Sequence, residues 1–225
     1  AETGCVVATG NIEAAMAAKF VVLGVKPQVL PGVLAEIAPY LTEGQVLVSL
    51  AAGVTIRSMA DTLARFGKKL PIIRALPNTP CAIGQGLIVL APSSDVTDEE
   101  LEELERLLSP CGRIGATTEN YADAIMVIGG CTPAFAYLFI EALADGAVST
   151  GLPRDMAMTY AAQAVLGAAA MVLESGKHPG QLKDAVCSPG GSTIQGVKAL
   201  EDRAFRGAAA EAVAAAYRRN TELGK

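Results

Sequence analysis

The chain is expected to fold as an α/β protein, with a doubly wound parallel sheet over its first 120 residues and an all-helical second half. Three observations carry this. Short, continuous apolar runs alternate with stretches of helical spacing as far as residue 120, the pattern of buried parallel strands joined by right-handed crossover helices. From about Tyr121 onward the strand signal stops and alanine-rich helical stretches replace it. Three loops that follow strands are built from small residues and proline, and ligands in such sheets bind beyond the carboxyl ends of the strands.

Taken in order, Phe20–Val25 is an apolar run ended by Lys26-Pro27, which reads as a fully buried parallel strand. Val29, Val33 and Ile37 give the next stretch a helical face. Gln45–Leu50 is a second strand, and Thr55 is placed to cap a helix over Ile56–Phe66. Leu70–Ala75 and Gly86–Ala91 are the third and fourth strands, and Thr97 starts an acidic helix over Asp98–Leu108. In the second half, Ala124–Val148 reads as a helix interrupted or begun near Gly129–Pro133, with Pro133 suited to a first turn. Pro153 opens a helix over Met156–Ser175, Gly176 ends it, and Phe205–Leu223 closes the chain as a further helix.

A net charge of −5 and the absence of any basic run speak against a nucleic-acid partner. The five cysteines are scattered without a CxxC pair, as expected of unbridged, mostly buried thiols in a reducing, cytoplasmic setting. A single histidine, His178, rules out a multi-histidine metal site and fits a structural place at a helix start; no metal is expected. Ala124–Ile140 and Met156–Leu173 carry no formal charge, yet alanine dominates them and Gly, Thr, Pro and Gln interrupt them. They read as buried helices of a tight bundle rather than membrane spans. Their apolar faces are too extended for one chain to cover, so a homodimer or higher homo-oligomer is expected.

The stretch Lys177–Leu200 concentrates the chemistry. Ser188-Pro189-Gly190-Gly191 cannot continue a helix, and Ser192 stands three residues before Gln195, the capping-box spacing for a new one. Such a turn delivers free backbone N–H groups at the positive end of a helix, a place for a carboxylate or phosphate, with the Thr193 hydroxyl beside it. An ordinary interhelical turn is the alternative. On the sheet side, Val25-Lys26-Pro27, Ala51-Ala52-Gly53-Val54-Thr55 and Pro77-Asn78-Thr79-Pro80 are the three loops, and Lys26 offers a charge for a phosphate.

These motifs, with Arg74-Ala75-Leu76 before the third loop, Pro133-Ala134-Phe135, Glu141–Gly146 and Ala162-Gln163-Ala164, stand in the order and spacing of one family. From about Asn11 to its end the chain resembles the pyrroline-5-carboxylate reductases, which make proline by reducing a cyclic imine with NAD(P)H. The resemblance implies a Rossmann-like dinucleotide-binding domain over 1–120, incomplete at its start, and a helical substrate-binding and dimerisation domain over 121–225. It implies NADPH or NADH contacts at Asn11, Val25, Lys26, Pro27, Ala51, Ala52 and Asn78. It places the substrate, pyrroline-5-carboxylate or proline, at Glu119, Gly191, Ser192 and Thr193, with Thr193 as the catalytic residue. Two departures stand out: Ala185 replaces an Asn near the turn, and Gly129-Gly130-Cys131-Thr132 replaces a Ser-Gly segment. No G-x-G-x-x-G turn opens a helix after a first strand. The family's opening strand, turn, helix and second strand, roughly 40–50 residues, are expected either to lie outside this sequence, the favoured reading, or to have been lost with the pyrophosphate cradle. If the sequence is truncated there, the chain as given is expected to be inactive and to bind NADPH poorly. Two other readings stay open: another NAD(P)-linked dehydrogenase with a helical dimerisation domain, and a non-enzymatic interaction module.

Overall fold

The apolar runs of the first half pair edge to edge into one sheet. The computed structural model describes residues 4–223; residues 1–3 and 224–225, the outer ends of the two expected domains, lie outside the described residues. Five strands stand in sequence order: β1 (Phe20–Leu23), β2 (Val46–Ser49), β3 (Ile72–Pro77), β4 (Gly86–Pro92) and β5 (Gly112–Ala116). The pairs β1–β2 and β2–β3 are parallel, in a register that sets Val22 beside Val48 and Ser49 beside Arg74.

The fourth strand departs from expectation, since β4 runs antiparallel to β3. Residues 78–85 are too few for a parallel crossover, which takes about a dozen or more. They form instead a tight 3₁₀ turn, Thr79–Ile83, closed by Gly84 in the left-handed region at φ 70°. β5 pairs parallel with β4 and was not foreseen, because Gly-Arg-Ile-Gly-Ala carries no strand pattern. Gly112 faces Gly86, and a Cβ on Gly112 would lie 2.2 Å from Gly86 O, so the strands approach here because neither residue has a side chain.

Side chains alternate across the sheet with the strand period of two. Leu47 and Ile72 point to one face, where they meet Leu34 and Ile37 of helix α2 (Leu30–Ile37) and Met59 and Leu63 of α3 (Ile56–Ala64). Val46, Val48, Ile73 and Ala75 point to the other face, against Leu104 of α4 (Asp98–Leu108). A short α1 (Asn11–Met16) adds Ala15 to the first face. β1 is less buried than its composition implied. It is an edge strand among the described residues, and Val22 is 56% exposed while Val21 and Leu23 are buried.

The expected helix starts form where their caps allow. Thr55 Oγ1 accepts from Ser58 N at 3.1 Å. Thr97 Oγ1 accepts from Glu100 N at 3.2 Å while Glu100 Oε2 accepts from Thr97 N at 3.0 Å, a complete capping box.

The chain gathers into two compact units, one running to Cys131 and rejoined by the last segment from Ala216, the other Thr132–Ala215. The helices of the second half are α5 (Ala122–Ser149), α6 (Arg154–Ser175), α7 (Pro179–Ala185), α8 (Ser192–Asp202) and α9 (Phe205–Leu223). Pro153 is the N-cap residue of α6 and Gly176, at φ 63°, ends it. His178 caps α7, its Nδ1 accepting from Gly180 N at 3.0 Å. Pro133, expected at a break or a first turn, lies inside an uninterrupted α5.

Two further expectations are corrected. Only 6% and 11% of the most apolar windows of α5 and α6 are buried within the chain, although both helices are long and apolar enough to cross a bilayer. A single chain has too few helices to cover them. The thiols are less buried than expected as well: Cys5 is exposed and the other four are partly exposed, and no disulfide joins any two of them.

Thr97→Ala removes the Oγ1 half of the capping box, leaves the backbone N–H of residue 97 to Glu100 Oε2, and is expected to cost about 1 kcal/mol of stability, a fall in melting temperature of about 2–4 °C for a chain of this size. Thermal unfolding followed by circular dichroism checks it.

Candidate active site

Because β1, β2 and β3 are parallel, their following loops leave the same edge of the sheet. Val25, Lys26 and Pro27 follow β1; Ala51 and Ala52 follow β2; Asn78 follows β3. The edge is shaped for close backbone approach. A Cβ on Gly24 would meet nothing within 4 Å. Ala51 is buried, its N–H donating to Ser49 Oγ at 3.3 Å, and Ala52 is partly exposed. Lys26 stands exposed, while its carbonyl accepts from Val29 N and Leu30 N and so starts α2. No acidic residue lies in the first turn of α2, so nothing in that turn opposes an anion beside Lys26. Small residues and one cation along this edge are compatible in size and charge with a dinucleotide.

Asn11 opens α1, and its side-chain amide donates to Glu36 Oε2 at 2.9 Å. It lines a cleft of about 180 Å³ with β1, Gly24 and Val25. Asn78 is engaged at both ends, Oδ1 accepting from Leu87 N at 2.9 Å and Nδ2 donating to Gly129 O at 3.1 Å.

Glu119 is bound to the protein itself. Its Oε1 accepts from Ile56 N, the first amide of α3, at 2.7 Å and from Arg74 Nη1 at 3.1 Å. Arg74 stands in the middle of the sheet and is 2% exposed. Its Nη2 lies 3.8 Å from Asp123 Oδ1, within ion-pair range but beyond hydrogen-bond range. Arg74 Nε and Nη2 and Asp123 Oδ1 have no hydrogen-bond partner among the described residues. In the sequence Arg74 stands only as part of a motif, with no role of its own. Its signal was a lone charge inside the run Ile72-Ile73-Arg74-Ala75-Leu76, where an uncompensated guanidinium is costly. Asp123, four residues beyond Glu119, is its second carboxylate.

In the second unit, Ser188–Gly191 forms a turn in which Gly191 N donates to Ser188 O at 3.0 Å and Gly190 takes φ 70°. A Cβ on Gly191 would lie 2.4 Å from Ser188 Oγ and 3.2 Å from Ser188 O, so a larger residue there requires the Ser188 hydroxyl to swing away. Gly191 is the N-cap of α8, and the foreseen capping box between Ser192 and Gln195 does not form. Ser192 is already inside the helix, where its side chain is past the capping position. The free amides are therefore those of Ser192, Thr193 and Ile194, which have no acceptor among the described residues, while the Gly191 amide is spent on the turn. Ser192 and Thr193 are exposed. Three adjacent donors and a hydroxyl at the positive end of an 11-residue helix can hold a carboxylate.

Removing one partner of the buried pair tests its weight. Glu119→Ala leaves the Arg74 guanidinium buried without its main carboxylate and is expected to cost about 3 kcal/mol, the low end for a broken buried pair, because the Glu119 side chain keeps 31% exposure. Urea unfolding measures it, and a loss below about 1 kcal/mol, on the scale of surface pairs, would count against the pair.

Comparison with known proteins places this arrangement. A family model described as pyrroline-5-carboxylate reductase dimerisation matches residues 119–223, and one described as NADP oxidoreductase, coenzyme F420-dependent, matches residues 1–53. The pyrroline-5-carboxylate reductase of Glycine max is 44% identical over 222 residues, covering 98% of this chain and 79% of that protein. That of Escherichia coli is 41% identical over 213 residues, covering 95% and 78%. Among solved structures, the Plasmodium falciparum pyrroline carboxylate reductase with NADP bound matches at a TM-score of 0.87 and 32% identity, covering 97% of this chain and 82% of that one. The Coxiella burnetii pyrroline-5-carboxylate reductase matches at 0.88 and 34%, covering 97% and 80%. With relatives this similar across nearly its whole length, the chain belongs to the pyrroline-5-carboxylate reductase family.

Proposed function

We infer that this chain reduces the cyclic imine 1-pyrroline-5-carboxylate to L-proline with NAD(P)H, the step that completes proline biosynthesis. The observation that carries the residue-level account is the set of three unpaired amides at the start of α8. They suit the one feature that imine and product share throughout the reaction, a ring carboxylate. Residues 1–120 hold the dinucleotide in this account, and 121–225 hold the substrate and the partner subunit. Val25, Lys26, Pro27, Ala51 and Ala52 line the edge that receives the nucleotide, with Asn11 beside it. When bound, the nicotinamide supplies the hydride. Ser192 and Thr193 amides anchor the carboxylate, Gly191 shapes the turn that presents them, and the Thr193 hydroxyl hydrogen-bonds the imine nitrogen. Glu119 serves by holding the first turn of α3 rather than by reaching the substrate with Oε1, both of whose bonds are internal.

The family is homo-oligomeric through its dimerisation region. The finer reading is a dimer in which a second copy covers α5 and α6, where Tyr137, Leu138, Tyr160, Leu166 and Leu173 are more than half exposed. Cysteines outside any disulfide and a place in amino-acid biosynthesis support a cytoplasmic enzyme.

Proline formation from pyrroline-5-carboxylate, one molecule per NADPH oxidised, tests the activity; oxidation of NADPH without proline would overturn it. Sedimentation at micromolar concentration tests the dimer, and a monomeric mass would contradict it. Thr193→Ala should lower kcat more than it raises KM. The amides hold the carboxylate in ground and transition states alike, whereas the hydroxyl meets the atom whose charge changes. The expected loss is about 30- to 1,000-fold in kcat. If Thr193 only supports the helix, the variant loses about 1 kcal/mol of stability and keeps its turnover per folded enzyme.

A further inference from the structure

Pro133 sits inside α5, and a proline has no N–H for the carbonyl four residues earlier. Gly129 O is that carbonyl, and Asn78 Nδ2 donates to it at 3.1 Å. The other end of the same amide, Oδ1, accepts from Leu87 N in β4 at 2.9 Å. The two bonds fix which way the amide points, since only Nδ2 can serve a carbonyl and only Oδ1 can serve an N–H. Helix and strand are close here as well: a methyl on Gly129 would lie 3.5 Å from Leu87 Cδ2.

We propose that Asn78 is a positioning residue: it supplies the hydrogen bond that Pro133 withholds from α5, and so pins the loop after β3 to the helix just ahead of Cys131-Thr132-Pro133. The side chain acts on backbone at both ends, so its service to the reaction is to hold the nucleotide-side loop and the turn of α5 at Gly129 in one register. This goes beyond the reading of Asn78 as a cofactor contact, and only its catalytic consequence rests on the reductase reading.

A double-mutant cycle with Pro133→Ala tests it in the full chain, because that substitution returns a backbone N–H to Gly129 O. Asn78→Ala is expected to lower the melting temperature by about 3–8 °C in the parent and by about 2 °C or less when Pro133→Ala is also present. The tether to the loop, unlike the gap in the helix, is lost in both backgrounds. Deuterium uptake over residues 79–87 should therefore speed about tenfold in both, and imine turnover per folded enzyme should stay low in both. Equal losses of melting temperature in the two backgrounds would overturn the proposal. So would slow deuterium uptake restored in the double variant, which would make Asn78 a patch for the helix and nothing more. Should Asn78→Ala not fold, Asn78→Asp carries the same cycle: its carboxylate keeps the Leu87 N–H but faces Gly129 O without a donor, a penalty that Pro133→Ala must relieve. A chain with no imine turnover would fail the reductase reading and leave the melting and exchange arms decisive.

Discussion

A guanidinium buried at the centre of the sheet is what the first unit is arranged around. Arg74 stands beside Ser49 in the β2–β3 register, 2% exposed, and a charge so placed requires a carboxylate. Glu119 provides it and spends the same oxygen on the first amide of α3. One carboxylate thereby ties three elements together: the central strand, the helix after β2 and the turn leading into α5. Asp123 adds a longer-range charge from the first turn of α5 itself. The loop Ala51–Thr55 lies between β2 and that tied helix, so the nucleotide-side edge inherits its geometry from the pair.

Division of labour follows from where backbone N–H groups remain free. At the sheet edge, α3 has its first amide occupied by Glu119 and another by Thr55, and the proposed nucleotide contacts there are Lys26 and small-residue backbone. In the second unit the turn before α8 does the reverse. It spends the Gly191 amide on itself and leaves the next three open. On the proposed reading, a phosphate-bearing cofactor and a small carboxylate substrate are offered different kinds of anion site, a side-chain cation and a helix start.

Much of this was legible in the residues. Thr55 and Thr97 announced their helices, Gly176 its terminus, and His178 its cap, because each of those signals is local. The failures are non-local. The antiparallel turn into β4 depends on the shortness of residues 78–85, and β5 depends on glycine meeting glycine across two strands. Pro133 reads as a break from the helix alone; its tolerance comes from Asn78, far away in the sequence. Ser192 and Gln195 had capping-box spacing, but the glycine turn delivers the chain one residue early, so Gly191 takes the cap position. Composition reports that α5 and α6 are apolar and does not say which chain covers them, so the burial expected of these helices is not found within one chain.

The central claim is that the edge formed by the carboxyl ends of β1, β2 and β3 receives the nucleotide. Hydrogen–deuterium exchange with and without saturating NADPH tests it most directly. The account predicts protection concentrated at residues 24–27, 51–55 and 77–80, with α4 and its capping box unchanged. Protection that spares all three loops and falls on other segments of the sheet unit would contradict it.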